Sequence, residues 1–290
     1  MTSASLAASH LSAFGASPLA PDSPPIDKSA YHLFHAVPSA ALREMSTDRP
    51  DKTESPYTVD AGHFQLELDL AAHTREREKE NGTTRLEREW AIAPINLKAG
   101  LCNRVDLQLV LETWAERRIT TRTGAVRQQQ RLQGFGDITT RLKFNFWGND
   151  SGPTAFAAMP FLKVPTSQDH LGNHGVEGGL VLPLAVQLPA GASLGLMTEV
   201  DLNRDENGDR YHPEFVNSIT IGRALLGDLA GYVEFFSQVS TESNSSWAGS
   251  IDLGLTYGLT QNIQLDAGVN IGITRSADDL NPFLGLSWRY

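Results

Sequence analysis

Ile263-Gln264-Leu265-Asp266-Ala267-Gly268-Val269-Asn270-Ile271-Gly272-Ile273-Thr274 decides the fold class. Apolar side chains fall at every odd position, and polar residues or glycine at every even one. A helix would scatter the two sets around its circumference, whereas a strand sorts them onto opposite faces. The segment before it repeats the pattern: Trp247, Ile251, Leu253, Leu255, Tyr257 and Leu259 alternate with Ala248, Ser250, Asp252, Gly254, Thr256 and Gly258. The chain ends the same way, with Leu284, Leu286, Trp288 and Tyr290 opposed by Phe283, Gly285, Ser287 and Arg289.

Upstream the alternation continues more weakly. Phe64, Leu66, Leu68 and Leu70 oppose Gln65, Glu67 and Asp69; Val105, Leu107, Leu109 and Leu111 oppose Asp106, Gln108 and Glu112; Ile138, Leu142, Phe144 and Phe146 oppose Asp137, Arg141, Lys143 and Asn145. Read this way, the chain holds about twelve strands, starting near residues 62, 85, 103, 134, 153, 175, 191, 213, 228, 246, 261 and 281. The links alternate in character. Those at 102–103, 148–152, 188–191, 226–228 and 260–262 are short; those at 74–84, 119–131, 166–174, 203–213, 241–246 and 275–281 are longer and polar. By abundance alone, alternating strands favour a soluble sandwich. Alternating loop length, a polar face rich in glycine and small residues, and the apolar final strand reverse that preference. The expected fold is all-β: a single antiparallel transmembrane barrel of about twelve strands with an N-terminal periplasmic extension.

Composition removes other classes. The 290 residues carry a formal net charge of −10, against the basic stripe a nucleic-acid partner wants. No run approaches the roughly 18 apolar residues of a membrane helix. The single cysteine, Cys102, excludes an internal disulfide framework, and its expected place is a periplasmic turn. Residues 1–45 read as a lead and linker, 46–61 as an extended periplasmic segment and 62–290 as the barrel. For residues 1–20, a shortened signal peptide and a disordered lead both remain open, because no Lys or Arg precedes Lys28.

Four stretches carry a family resemblance. Ser46-Thr47-Asp48-Arg49-Pro50-Asp51-Lys52-Thr53-Glu54-Ser55-Pro56-Tyr57-Thr58-Val59, and then Ala61-Gly62-His63-Phe64-Gln65-Leu66-Glu67, resemble the opening of the phenol-degradation meta-pathway (MetA-pathway) transporter family of outer-membrane β-barrel proteins. Gly134-Phe135-Gly136-Asp137 and Met159-Pro160-Phe161-Leu162-Lys163-Val164-Pro165-Thr166 fit as well, so the resemblance spans residues 46–290. The terminal Phe-Leu-Gly-Leu-Ser-Trp-Arg-Tyr resembles the C-terminal signature of bacterial outer-membrane proteins, in which Trp288 and Tyr290 would mark the chain for the assembly machinery. The resemblance implies a bacterial outer-membrane barrel bathed in lipid, and aromatic solutes. Independently of it, Thr47-Asp48-Arg49-Pro50-Asp51 places an arginine between carboxylates and keeps the chain extended, which suits either a segment tucked into or beneath the barrel mouth or a solvated linker.

No catalytic constellation stands out: there is no Gly-x-Ser-x-Gly elbow, and none of the eight histidines sits in a triad context. Asp169, His170 and His174 have metal-ligand spacing, but their segment reads as a solvated loop, so no metal and no cofactor is expected. Gly134-Phe135-Gly136 is no phosphate cradle, because no helix follows it. The inward face is the candidate site. Its acids include Glu112, Asp137, Glu199, Glu234 and Asp266, and its bases Arg141, Lys143, Lys163 and Arg289, at about three acids per base on the strand alternation. One reading is an acid-leaning, weakly cation-selective path for a small solute, which only the resemblance implies to be aromatic or hydrophobic. The alternatives are a barrel plugged by its own ion pairs, without transport, and a barrel hydrolase.

Overall fold

The computed structural model describes residues 27–290 apart from 170, 173, 174, 206–209 and 244. Fifteen strands form one antiparallel sheet. In chain order they are β1 (Phe64–Glu80), β2 (Thr83–Ala91), β3 (Ile95–Cys102), β4 (Val105–Leu111), β5 (Ala115–Thr123), β6 (Val126–Gly134), β7 (Ile138–Trp147) and β8 (Thr154–Val164). Then come β9 (Glu177–Gln187), β10 (Ala192–Arg204), β11 (Tyr211–Leu226), β12 (Leu229–Ser240), β13 (Ala248–Thr260), β14 (Ile263–Gly272) and β15 (Asn281–Arg289). Three pairs, β2 with β3, β4 with β5 and β6 with β7, are single staves interrupted at 92–94, 112–114 and 135–137, which leaves twelve staves. β15 pairs with β1 from Gln65↔Arg289 to Ala72↔Phe283 and closes the cylinder. At the seam, Phe64 and Tyr290 exchange backbone hydrogen bonds of 3.1 and 2.9 Å. Closure leaves the membrane-spanning wall without an unpaired edge, as hydrocarbon requires.

The wall is apolar outside and polar inside. On β13, Leu253, Leu255, Tyr257 and Leu259 are exposed, while Ser250, Asp252 and Thr256 are buried. The outward belt meets lipid, so its exposure is the expected state of a transmembrane barrel. Rings gather at the short-turn end: Phe64 stacks on Tyr290, Trp288 lies 5.0 Å from Tyr290, and Trp147 stacks on Phe156. Aromatic girdles of this kind sit at headgroup level.

The three interruptions fall side by side. Ile92 N–H donates to the Trp114 carbonyl at 3.0 Å, and Gly136 N–H to that of Glu112 at 2.9 Å. Pro94 cannot donate to a ladder, and β1 carries its own bulge between Asp69 and Ala71 on the same line. Above this line, residues 72–80 of β1 continue with β2, β5 and β6 as a four-stranded sheet that leaves the cylinder. This flag overturns the expectation that 74–84 and 119–131 are loops, and it moves the fourth stave's start from 134 to 126. The physical reason is that both faces are wet. Charged strands such as Thr-Arg-Glu-Arg-Glu-Lys-Glu have no apolar period to announce them, yet each pairs with its neighbour through tight turns at Asn81-Gly82 (φ 46° and 78°) and at Gly124 (φ 58°).

Candidate functional site

The segment before β1 does not lie outside the barrel as a free extension. Its base is fastened at the short-turn end. Lys28 Nζ meets Asp60 Oδ1 at 2.8 Å and Asp150 at 3.3 Å. Arg43 reaches Asp150 Oδ1 at 2.9 Å and donates to the carbonyls of Thr58 (2.8 Å) and Asn103 (2.9 Å). Burial alone would raise the Asp150 carboxyl, but the charge and hydrogen bond of Arg43, with Asn103 and Lys28, outweigh it and hold the group below the usual carboxylate range. Arg289 on β15 donates to the Arg43 carbonyl at 2.7 Å.

From Thr47 to Val59 the chain loops inside the lumen, both ends at the short turns, and wall side chains take it up residue by residue. Asp48 is the hub. Its Oδ1 accepts from Lys143 Nζ at 2.7 Å and Ser55 N–H at 3.0 Å; its Oδ2 pairs with Lys98 and accepts from Gln108 at 3.3 Å. Lys98 also pairs with Glu67. Arg49 bridges Asp69 at 2.7 Å and Asp266 at 2.8 Å and lies over the Phe283 ring. Lys52 meets Asp252 at 3.1 Å, its N–H donates to Glu234 at 2.9 Å, and its ammonium stands 4.3 Å from the centre of the Phe236 ring. Thr53 donates to Glu234 at 2.5 Å, and Glu54 accepts from Arg141 at 2.6 Å. The backbone is held too: Asn145 donates to the Pro56 carbonyl at 2.9 Å, and Val59 N–H to Asp106 at 3.0 Å.

Two wall glycines are set by this passage. A Cβ on Gly100 would stand 2.1 Å from the Asp60 carbonyl oxygen, and one on Gly285 would stand 2.2 Å from the Arg49 guanidinium. The small residues of the polar face thus make room for the inner segment as much as for water. Above Lys52, at the long-loop end, a polar cavity of about 280 Å³ opens between Glu76, Gln238, Ser250, Asp278 and Asn281.

This combination, a twelve-stave barrel whose charged N-terminal segment is laced to its inner wall, can be set against known proteins. The family described as "Putative MetA-pathway of phenol degradation" matches residues 47–290. The chain belongs to that family. The match begins at Thr47, where the chain enters the lumen, so the inner segment is part of the MetA-pathway unit together with the barrel. No curated protein matches the sequence. Among solved structures, an outer membrane channel from Pseudomonas putida F1 is 9% identical, with 84% of this chain and 100% of that chain covered and a TM-score of 0.57. The Ralstonia pickettii toluene transporter TbuX is 9% identical over 79% and 89% of the two chains, with a TM-score of 0.45. The NanC porin is 10% identical over 77% and 98%, with a TM-score of 0.46. At such identities the first likeness shows the fold, a bacterial outer-membrane barrel.

Within the MetA-pathway fold, the expected lining residues separate into two groups. Arg141, Lys143, Glu234 and Asp266 converge on the inner segment as described, so Thr47, Asp48, Arg49, Pro50 and Asp51 are lumen residues. Thr47 itself accepts from Gln264 at 3.3 Å, the Pro50 carbonyl accepts from Tyr232 at 3.4 Å, and Asp51 is buried. Lys163 pairs instead with Glu177 at 2.5 Å, and Glu199 is half-buried on β10, within electrostatic reach of Glu54 and Arg141. Glu112 and Asp137 are corrections: both stand at the interruptions of the wall and not on registered strands. Asp137 accepts from the N–H groups of Thr166 and Ser167, just after β8, at 3.0 Å each. Lys98 was missed. Ile95 and Leu97 face outward around Asn96 and Lys98, and that short alternation would have placed it inward. Cys102 ends β3, one residue before the short turn, and carries no disulfide. His170 and His174 lie outside the described residues. The described histidines bond to backbone groups, except His212, which meets Asp205 at 2.8 Å.

Proposed function

We propose that this protein is an outer-membrane channel for small, aromatic or hydrophobic solutes, with residues 47–59 acting as its internal closure. One observation carries the reading: a polar lumen runs through the barrel, and a single continuous segment, held by side chains rather than by ladder hydrogen bonds, fills it. A segment so held can shift without unfolding the wall, because residues 47–59 belong to no ladder of the staves. The aromatic preference draws on the phenol-degradation description of the family. The domain reading belongs to this proposal: 62–290 as the barrel, 46–61 as the extended segment that contains the closure, and 1–45 as the lead and linker. Insertion through the C-terminal strand, with Trp288 and Tyr290 as its signal, belongs to the same proposal, as does the absence of enzymatic chemistry.

A second reading is favoured by the density of the pairing: a permanently plugged barrel without transport. Single-channel recording in planar bilayers, paired with liposome swelling in phenolic solutes, separates the two. Transport predicts brief, small openings in the native chain and solute-dependent swelling. Silence in both assays, persisting after the Asp48 hub is broken, would overturn transport and leave the plugged barrel.

A further inference from the structure

At the long-loop end, three side chains that the lumen does not use come together. Asp205 follows β10, His212 is the second residue of β11, and Glu242 lies two residues beyond β12. β11 lies between β10 and β12, so Asp205 and Glu242 approach the outer end of β11 from either side. The β12–β13 loop is stapled there: Thr241 donates to the Pro213 carbonyl through its N–H at 3.1 Å and its hydroxyl at 2.8 Å. Asp205 is held from its own side, its N–H donating to the Arg210 carbonyl at 2.9 Å. One donor atom from each of Asp205, His212 and Glu242 lies within 4.8 Å of the other two. These are rim residues, yet the His212 and Asp205 side chains are only 11% and 16% exposed.

We infer that Asp205, His212 and Glu242 bind one divalent transition-metal ion of the zinc type. The donor set is one imidazole nitrogen and two carboxylates. Imidazole suits zinc and its neighbours and disfavours magnesium and calcium, which take oxygen ligands. Two carboxylates match the charge of the ion. Bonds to zinc run about 2.0–2.2 Å, so small side-chain rotations would draw the three donors onto one centre. A fourth position stays open to water. Arg210 approaches Asp205 Oδ2 at 3.6 Å, but its side chain is 91% exposed and free to swing into solvent. The bound ion would tie the β10–β11 loop to the β12–β13 loop, beside the staves that carry Gln238 and Ser250 into the outer cavity.

The rival account is an ordinary Asp205–His212 ion pair. Titration calorimetry with ZnCl2 on the untagged full chain in detergent distinguishes them. The expected result is saturable binding of one ion per barrel, not displaced by excess MgCl2. His212→Ala and Asp205→Asn should each weaken it at least about 10-fold, the loss seen even when only supporting groups of metal sites are removed. Glu242→Gln should do the same, a change that an Asp205–His212 pair alone would not register. A double His32→Ala/His35→Ala variant, which removes the two neighbouring histidines at the opposite end, should bind as the native chain does. Heat-modifiable gel migration checks folding of each variant, and Asp205→Asn decides if His212→Ala fails to fold. No saturable zinc binding, binding unchanged in the rim variants, or binding lost in the double variant would overturn the assignment.

Discussion

The chain places ion pairs in two regions with opposite consequences. Inside the lumen, Asp48 meets Lys98 and Lys143, all three almost wholly buried. On the flag, Arg85 meets Glu78 and Glu87, and Arg117 meets Glu87 and Glu89, with Arg85 and Glu78 exposed and the others half-buried. The chemistry is the same; the surroundings are not. A buried pair is costly to make and costlier to break, because removing one partner strands the other in a medium that cannot solvate it. An exposed pair is replaced by water at little loss. The lumen pairs therefore fix where a segment sits, whereas the flag pairs decorate a sheet already held by its backbone ladder.

The largest effect should follow Asp48→Ala. It leaves Lys98 and Lys143 without their shared carboxylate and releases the Ser55 N–H, so seating of the inner segment should weaken by about 3–5 kcal/mol. Single-channel conductance should rise, while heat-modifiable migration shows the barrel intact. The opened pore should also be cation-selective. Wall acids such as Glu67, Asp106, Glu234, Asp252 and Asp266 are then no longer offset by Arg49 and Lys52, and a narrow acidic lumen concentrates cations. Reversal potentials under a salt gradient read the sign, and the preference should fade above about 0.1 M salt, where the Debye length is about 10 Å. An anion-selective opened pore would mean that the lumen bases dominate.

The lower barrel was legible in the sequence, and the flag was not, for one physical reason. A wall with lipid on one side and a polar lumen on the other forces a two-residue period, as in residues 263–273. A sheet wet on both faces forces none, so residues 74–84 and 119–131 read as loops although Asn81-Gly82 is a strong hairpin signal. The lumen residues Arg141, Lys143, Glu234 and Asp266 followed from alternation alone. Their partners did not: pairing Asp266 with Arg49, 217 residues away, needs the path of the inner segment. Glu112 and Asp137 were placed on registered strands because alternation was extended through interruptions that Pro94, Gly134 and Gly136 could have marked.

Steric tests of the inner segment rank next. Gly100→Ala drives a methyl into a backbone carbonyl that cannot swing away. Overpacking of this kind costs about 1–3 kcal/mol. Gly285→Ala meets only the flexible end of Arg49 and should cost less, with its effect confined to the Asp69 and Asp266 contacts. Proteolytic release of residues 47–59 from folded barrels would rank the two, and equal release would show that the segment is loosely seated. The anchor at the short turns adds a pH dependence. The folded Asp150 carboxyl lies below its unfolded value of about 3.9, so its contribution is complete above about pH 4. That contribution is lost as pH falls through the lowered folded value. Channel opening should rise below pH 4, and Asp150→Asn should open more at pH 7 and lose that part of the acid response.

The smallest effect belongs to the flag. Arg85→Ala removes contacts to Glu78 and Glu87, but the Arg85 side chain is 40% exposed and its backbone pairs with Glu78 on β1 and Thr121 on β5 whatever the side chain. Exposed pairs contribute about 0–1 kcal/mol, and a strand flanked on both sides keeps its ladder. Thermal unfolding should therefore change little, and conductance not at all, because no flag residue holds the inner segment. The decisive contrast is salt. Raising it screens the flag pairs and leaves the buried hub almost untouched, so Arg85→Ala and the native chain should converge in stability at high salt, while Asp48→Ala stays apart. Convergence of Asp48→Ala as well would mean that the lumen is wet enough to screen its own charges, and the distinction between the two regions would fail.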